Sequence, residues 1–157
     1  MLRPRLIAPV VLSVVIGGVI SGCGGGSERV SAAELMERAD AICAKERSTF
    51  ARIQAHPPPN ASVAADQTGE LIQATEDANS DLRSLKPPEE LEAAYDRYLE
   101  ARGRAVDQMK RGKDAADDQE PTAYGAAQAA VARDATQRRK LAQALHLKIC
   151  SASSARA

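Results

Sequence analysis

Three kinds of side chain in this sequence could do chemistry beyond solvation. They are the thiols of Cys23, Cys43 and Cys150, the imidazoles of His56 and His146, and the phenols of Tyr95 and Tyr98. A thiol reacts, or binds metal, as its thiolate, which a Cys-x-x-Cys spacing or a neighbouring cation would favour. No Cys-x-x-Cys occurs, Cys43 has no histidine or second cysteine near it, and Cys150 has only His146, four residues before it. Zinc is therefore not expected, and neither is haem, whose attachment needs Cys-x-x-Cys-His. His56 abuts a proline run and His146 precedes the last cysteine, so both could lie near a bundle end, but further ligands are lacking. Tyr95 and Tyr98 stand one helical turn apart around Asp96 and Arg97. They could line a small-molecule pocket, with rings for contact and hydroxyls for orientation. The same spacing also suits two core aromatics whose hydroxyls reach the surface.

Charged clusters add little chemistry. Asp114, Asp117, Asp118 and Glu120 form a dense carboxylate stretch, but it lacks the alternating ligands, central glycine and distal glutamate of a calcium loop. It reads as a solvated connection. Arg138-Arg139-Lys140 and the Arg102, Arg104, Lys110, Arg111 group could face anionic headgroups or cell-wall polymers; interspersed acids make a solvated helix face the plainer reading. No nucleophile–base pair, glycine-rich phosphate loop or nucleic-acid motif is present. Lys+Arg and Asp+Glu both number 21, so nothing attracts the chain to nucleic acid non-specifically. The expectation is a non-catalytic protein without cofactor or metal.

The elements that must position these residues read as helices. Ser31-Ala32-Ala33-Glu34 has capping-box form, flanked by Val30 and Leu35 as a hydrophobic staple. The first helix then carries Leu35, Ala39, Ile42, Cys43, Phe50 and Ile53 on one stripe. It must stop by His56, ahead of Pro57-Pro58-Pro59. A second helix begins near Ser62, with Leu71, Thr75, Ala78, Leu82 and Leu85 forming a 4,3,4,3 seam. Its first part, weakened by Gly69, could instead be loop. Lys86-Pro87-Pro88 divides it from a third helix bearing Leu91, Tyr95, Tyr98, Leu99, Val106 and Met109. Lys110-Arg111-Gly112 has the form of a basic last turn and a glycine cap, which leaves 113–121 as a polar connection. A fourth helix is expected from about Thr122 to Leu147, burying Tyr124, Ala127, Val131, Ala135, Leu141 and Leu145. The fold expected is all-α, a four-helix up-down bundle with the first and fourth helices adjacent.

The N-terminus is of another kind. Arg3 and Arg5 precede an apolar run from Leu6 to Ile20, and small Ser21 and Gly22 follow, as in a secretory signal peptide. The run is shorter than the about 20 residues a bilayer span needs, and Pro9, Gly17 and Gly18 interrupt it. Pro4 separates the two arginines, so ordinary Sec export is expected rather than the twin-arginine route. Ile20-Ser21-Gly22-Cys23 resembles the lipobox of bacterial lipoprotein signal peptides. The resemblance implies that the Cys23 thiol is alkylated by a diacylglyceryl group and the bond before it is cut. A retained transmembrane anchor and a plain signal peptide cut near Gly22 are the other readings. Cleavage removes Arg3 and Arg5 and no acid, leaving 19 bases against 21 acids. Two acyl chains hold a protein stably at a membrane where one does not. Gly24 to Ser27 would form a flexible tether. The organisation expected is a leader over 1–22, a tether over 23–30, a bundle over 31–150 and a fraying tail over 151–157.

With Cys23 lipidated, Cys43 and Cys150 remain as an even pair in an exported chain, and an oxidising compartment favours a structural disulfide between them. Two buried free thiols, or redox chemistry, are the alternatives. A bridge closing about a hundred residues stabilises by roughly 4–5 kcal/mol in the chain-entropy account. The chain also resembles small exported actinobacterial lipoproteins of unknown function. The residues that carry this are the lipobox, Ala39-Asp40-Ala41-Ile42-Cys43-Ala44, Leu85-Lys86-Pro87-Pro88-Glu89-Glu90-Leu91, Tyr95-Asp96-Arg97-Tyr98-Leu99 and Leu145-His146-Leu147-Lys148-Ile149-Cys150. Such proteins often place a glycine between the last two leucines, where a helix ends; here it is His146, which adopts a left-handed backbone less readily. No catalytic residue transfers with the resemblance. The expected role is that of a lipid-anchored protein on the extracytoplasmic face of the cell membrane, contacting another envelope protein. The alternative is a small-molecule binder using a cleft near Tyr95 and Tyr98.

Overall fold

The computed structural model describes residues 29–153, and every regular element among them is helical. Helix α1 spans Ala32–Ile53, α2 Ala61–Ser84, α3 Glu89–Asp117, α4 Pro121–Ala144 and α5 Lys148–Ser151. Each of the first four packs on its successor, and α5 packs on both α4 and α1. The protein is an all-α up-down bundle of four long helices, with a Cys43–Cys150 disulfide between its first and last elements. The expected leader, Cys23 and residues 154–157 lie outside the described residues.

The helix starts follow from their caps. The Glu34 amide donates to Ser31 Oγ at 3.2 Å, which satisfies one of the four orphan N–H groups of α1. The Glu34 carboxylate does not turn back to close the box; it pairs with Arg38 at 2.5 Å. Asn60 caps α2 by accepting from the Val63 amide at 3.0 Å, directly after the three prolines that α1 cannot enter. Helix α2 is continuous through Gly69. Helix α3 starts after Pro88 and gathers Glu89, Glu90 and Glu92 in its first turn, at the positive end of its dipole.

Two helix ends differ from the sequence expectation. Helix α3 passes through Gly112 and continues to Asp117. Gly112 is buried where α3 meets α4: a Cβ there would lie 3.5 Å from Ala127 Cβ and 3.6 Å from Gln128 Nε2. Both are ordinary van der Waals distances, so the glycine lies inside the helix at the α3–α4 contact and does not end it. The stop falls at Gln119, whose φ is 57°. Gln119 N–H bonds Ala116 O at 3.1 Å and Glu120 N–H bonds Ala115 O at 2.8 Å, the two bonds of a Schellman cap. Most of the expected polar connection is thus helix, and only residues 118–120 link α3 to α4. Helix α4 ends at Ala144 and not at Leu147. His146 takes a φ of 57°. Its N–H bonds Gln143 O and that of Leu147 bonds Ala142 O, both at 2.9 Å. Leu147 and Ala142 are fully buried together, the apolar contact that accompanies such a cap.

A hydrophobic core cluster joins Leu35 and Ala39 of α1, Leu82 and Leu85, Tyr95 and Tyr98 of α3, and Ala142, Leu145 and Leu147. Helices α1 and α4 come together only at this end cluster and do not pack along their length, unlike the adjacency expected from the sequence; α5 packs on both and bridges them. On α2 the buried line runs through Ile72, Thr75, Ala78 and Leu82, with Leu71 half-buried beside it. The Thr68 and Thr75 hydroxyls donate to Ala64 O and Leu71 O, so their burial leaves no orphan hydroxyl. Helix α4 buries only Ala127 and Ala142; Tyr124, Val131, Ala135 and Leu141 are half-buried.

The chain enters this core earlier than expected. Val30 N–H donates to Lys86 O at 2.8 Å. Arg29 donates to Pro87 O and pairs with Glu92, each at 2.9 Å. Residues 29 and 30 are thus fastened to the α2–α3 corner and do not belong to a tether.

Candidate functional site

The Cys43–Cys150 bridge has an S–S length of 2.07 Å and a Cα–Cα distance of 5.2 Å. Cys43 is buried on α1 and Cys150 is half-buried on α5. Two other α1 side chains on the same face hold α5. Asp40 Oδ2 accepts from Lys148 N–H at 2.9 Å, and Oδ1 accepts from Ile149 N–H at 2.9 Å and Cys150 N–H at 3.2 Å. One carboxylate so satisfies three amides of a helix start that has no cap of its own. One turn past Cys43, Arg47 donates to Ile149 O at 3.5 Å and Ser153 O at 3.4 Å. Ser151 and Ser153, expected to fray, belong to this joint.

Beneath the bridge lies a buried polar network. Arg102 of α3 is 8% exposed. Its Nη2 pairs with Glu46 Oε1 of α1 at 2.7 Å, and its Nε donates to Asn79 Oδ1 of α2 at 2.5 Å. Its Nη1 donates to the Tyr98 hydroxyl at 3.3 Å, and that hydroxyl faces Cys43 Sγ at 3.7 Å. The guanidinium carbon stands 5.9 Å from the Tyr98 ring centre, within cation–π range. Three helices are joined through one side chain. Burial disfavours the Arg102 charge, but Glu46 and Tyr98 outweigh burial and raise its pKa above the ordinary value. Arg138 of α4 lies at the edge of this network, and its Nη1 is buried without a hydrogen-bond partner. Burial and the like charge of Arg102 lower its pKa.

This places one member of each basic group inward. Arg102 and Arg138 belong to the interior, whereas Arg104, Lys110, Arg111 and Lys140 are exposed, with Lys110 paired to Glu76. Tyr95 and Tyr98 are each 1% exposed, their ring centres 6.3 Å apart. Tyr95 donates to Leu82 O at 2.8 Å. Burial raises the pKa of both phenols. The rings are packed core, and among the described residues neither surface groove is lined by them.

His56 follows the end of α1 and His146 follows the end of α4, beside the start of α1; the two stand at opposite ends of the bundle. Both are exposed. Of the acidic stretch, Asp114 and Asp117 lie on α3 and Asp118 and Glu120 in the turn; Asp117 pairs with Lys113 at 2.5 Å. Among the described residues no group of three or more His, Cys, Asp or Glu could hold a metal ion, and no helix is long and apolar enough to cross a membrane.

A surface groove of about 290 Å³ runs between α1 and α2. Ile42, Ile53, Ala74 and Ala78 form its floor; Lys45 and Arg52 stand on the α1 side, and Glu70, Asp77 and Asp81 on the α2 side. A shallower groove, at the joint of α4 with the C-terminal residues, is lined by Thr136, Arg139, Lys140, Gln143, Ser151 and Ser153. In the second groove Arg139 donates to the Thr136 hydroxyl at 3.2 Å. The thiols of Cys43 and Cys150 are consumed in their bridge, and the buried arginine is matched by a carboxylate rather than poised to transfer a proton.

No family model matches the chain, and neither a curated protein nor a solved structure was found to be similar to it.

Proposed function

We propose that this protein is a membrane-anchored envelope lipoprotein without catalytic activity, whose helical domain serves as a rigid interaction or structural module. The observation that carries the reading is the run Ile20-Ser21-Gly22-Cys23 behind an apolar segment with arginines at its start. Cys23 is the lipid attachment point, and the mature chain begins there. The Cys43–Cys150 bridge supports export, because disulfides persist in oxidising compartments. The Arg29 clip on the α2–α3 corner adds a distance. Each extended residue spans about 3.3–3.6 Å, so the stretch from Cys23 to Arg29 holds that corner within roughly 20 Å of the membrane. The domain then presents its long helical sides to neighbours in the envelope, and the interior network keeps those sides fixed.

Metabolic labelling with palmitate tests the anchor. The wild-type chain incorporates label and the Cys23→Ala chain does not. Continued labelling of Cys23→Ala would remove the anchor from the account.

A further inference from the structure

The α1–α2 groove carries opposite charge on its two rims. Lys45 and Arg52 line one side, and Glu70, Asp77 and Asp81 the other. All five are exposed, and among the described residues none of them takes part in an ion pair. The fourth carboxylate of the groove, Glu46, is already matched by Arg102.

We infer that this face binds a second copy of the chain, side by side, about a twofold axis running along the groove. Helix α1 from 42 to 53 lies antiparallel to α2 from 81 to 70, so Lys45 stands at the height of Asp77 and Asp81, and Arg52 at the height of Glu70. A half-turn about an axis along the groove preserves height and exchanges the rims. Lys45 then meets Asp77 and Asp81 of the second copy, Arg52 meets its Glu70, and each contact occurs twice. The half-turn about the perpendicular axis sets acid against acid and base against base, which charge forbids. The permitted arrangement also opposes α1 to an antiparallel α2, and half-buried Ile42 and Ala74 of each copy face the shared groove.

The same axis runs along the bundle, so both copies present Arg29 at the same end. Two chains anchored in one membrane require that arrangement. This part of the argument rests on the anchored reading; the charge pattern does not. A polar, charge-matched face gives a reversible, salt-sensitive dimer, and confinement to a membrane raises the effective concentration of the partners.

The test uses the full chain, purified from membranes in mild detergent and carrying two distinguishable tags for co-purification. One variant reverses the basic rim, Lys45→Glu with Arg52→Glu. The other reverses the acidic rim, Glu70→Lys with Asp77→Lys and Asp81→Lys. Wild type pairs with itself at low salt, and either variant alone pairs at least about tenfold more weakly. The two variants mixed recover the wild-type level, which a folding defect could not produce. A wild-type chain that stays monomeric, variants that self-associate unchanged, or a mixture no better than its components would overturn the dimer. So would an unrelated envelope protein held on the groove in place of a second copy. Palmitate labelling of the same preparations reports on the anchor separately: an unlabelled dimer removes the anchor and leaves the interface.

Discussion

Asp40 on α1 and Ile149 on α5 lie 109 residues apart in sequence, yet the Asp40 carboxylate accepts the Ile149 amide at 2.9 Å. The same carboxylate receives Lys148 and Cys150. It is the cap of a helix in another part of the chain, placed one turn before the cysteine that the disulfide uses. The C-terminal joint is therefore held by backbone capping and by a covalent bond at the same point.

Removing that cap weakens the joint. Asp40→Ala leaves three amides of α5 without their acceptor and lowers stability by about 1–2 kcal/mol. Asp40→Asn loses less, since its side-chain oxygen still accepts. Urea unfolding with the disulfide intact reads the difference, and faster amide exchange at 148–150 in Asp40→Ala locates it.

The Arg102–Glu46 pair is expected to behave asymmetrically. Their side chains are only 9% and 12% exposed, so Glu46→Gln strands a buried guanidinium and costs about 3–5 kcal/mol. Glu46→Leu combined with Arg102→Met removes both charges and recovers most of that loss. A double-mutant cycle on denaturant midpoints shows the coupling; additive single effects would mean that the pair acts as two separate charges.

Alkaline stability depends on Tyr95 and Tyr98. Burial holds both phenols neutral in the fold, with pKa values above the ordinary 10.0. Below pH 10 the folded and unfolded forms both keep these protons, and stability does not change on their account. Above it the unfolded chain releases protons that the folded chain retains, so stability falls as pH rises. Ultraviolet titration is expected to show these two phenols ionising together with unfolding, at one shared midpoint. Reversible ionisation of either while the helical signal is intact would contradict the burial.

The two left-handed caps predict a gain. Gln119 and His146 both hold a φ of 57° with a side chain present. Glycine takes this conformation without steric cost, so His146→Gly and Gln119→Gly each raise stability by about 0.5–1 kcal/mol, the relieved left-handed strain less glycine's extra unfolded-state entropy. Thermal melts at fixed pH check both.

Much of the fold was legible because its signals are local. Ser31 before α1, the prolines at 57–59 and 87–88, and the spacing of Thr75, Ala78 and Leu82 each act within a turn or two. Gly112 misleads because a glycine inside a helix and one that ends it look alike in sequence; the left-handed residue that ends α3 is Gln119, seven positions later. The buried network left a readable sign. Glu46, Asn79 and Arg102 each occupy a place on the apolar stripe of their helix, at four after Ile42, Thr75 and Tyr98 respectively. Three polar residues of matching character at core positions on three helices could have been read as one cluster. Asp40 offered no such sign, since a carboxylate beside a stripe is ordinary until the distant chain end arrives above it. The opposed rims of the α1–α2 groove depend in the same way on helix register, which no single helix contains.

We propose that Cys23 is a lipid attachment point and the first residue of the mature protein. Intact mass and N-terminal peptide analysis of the chain purified from native membranes tests it most directly. Residues 1–22 are expected to be absent, and the N-terminal peptide to carry a diacylglyceryl group on Cys23. A chain that keeps residues 1–22, or that presents Cys23 as an unmodified thiol, would contradict it.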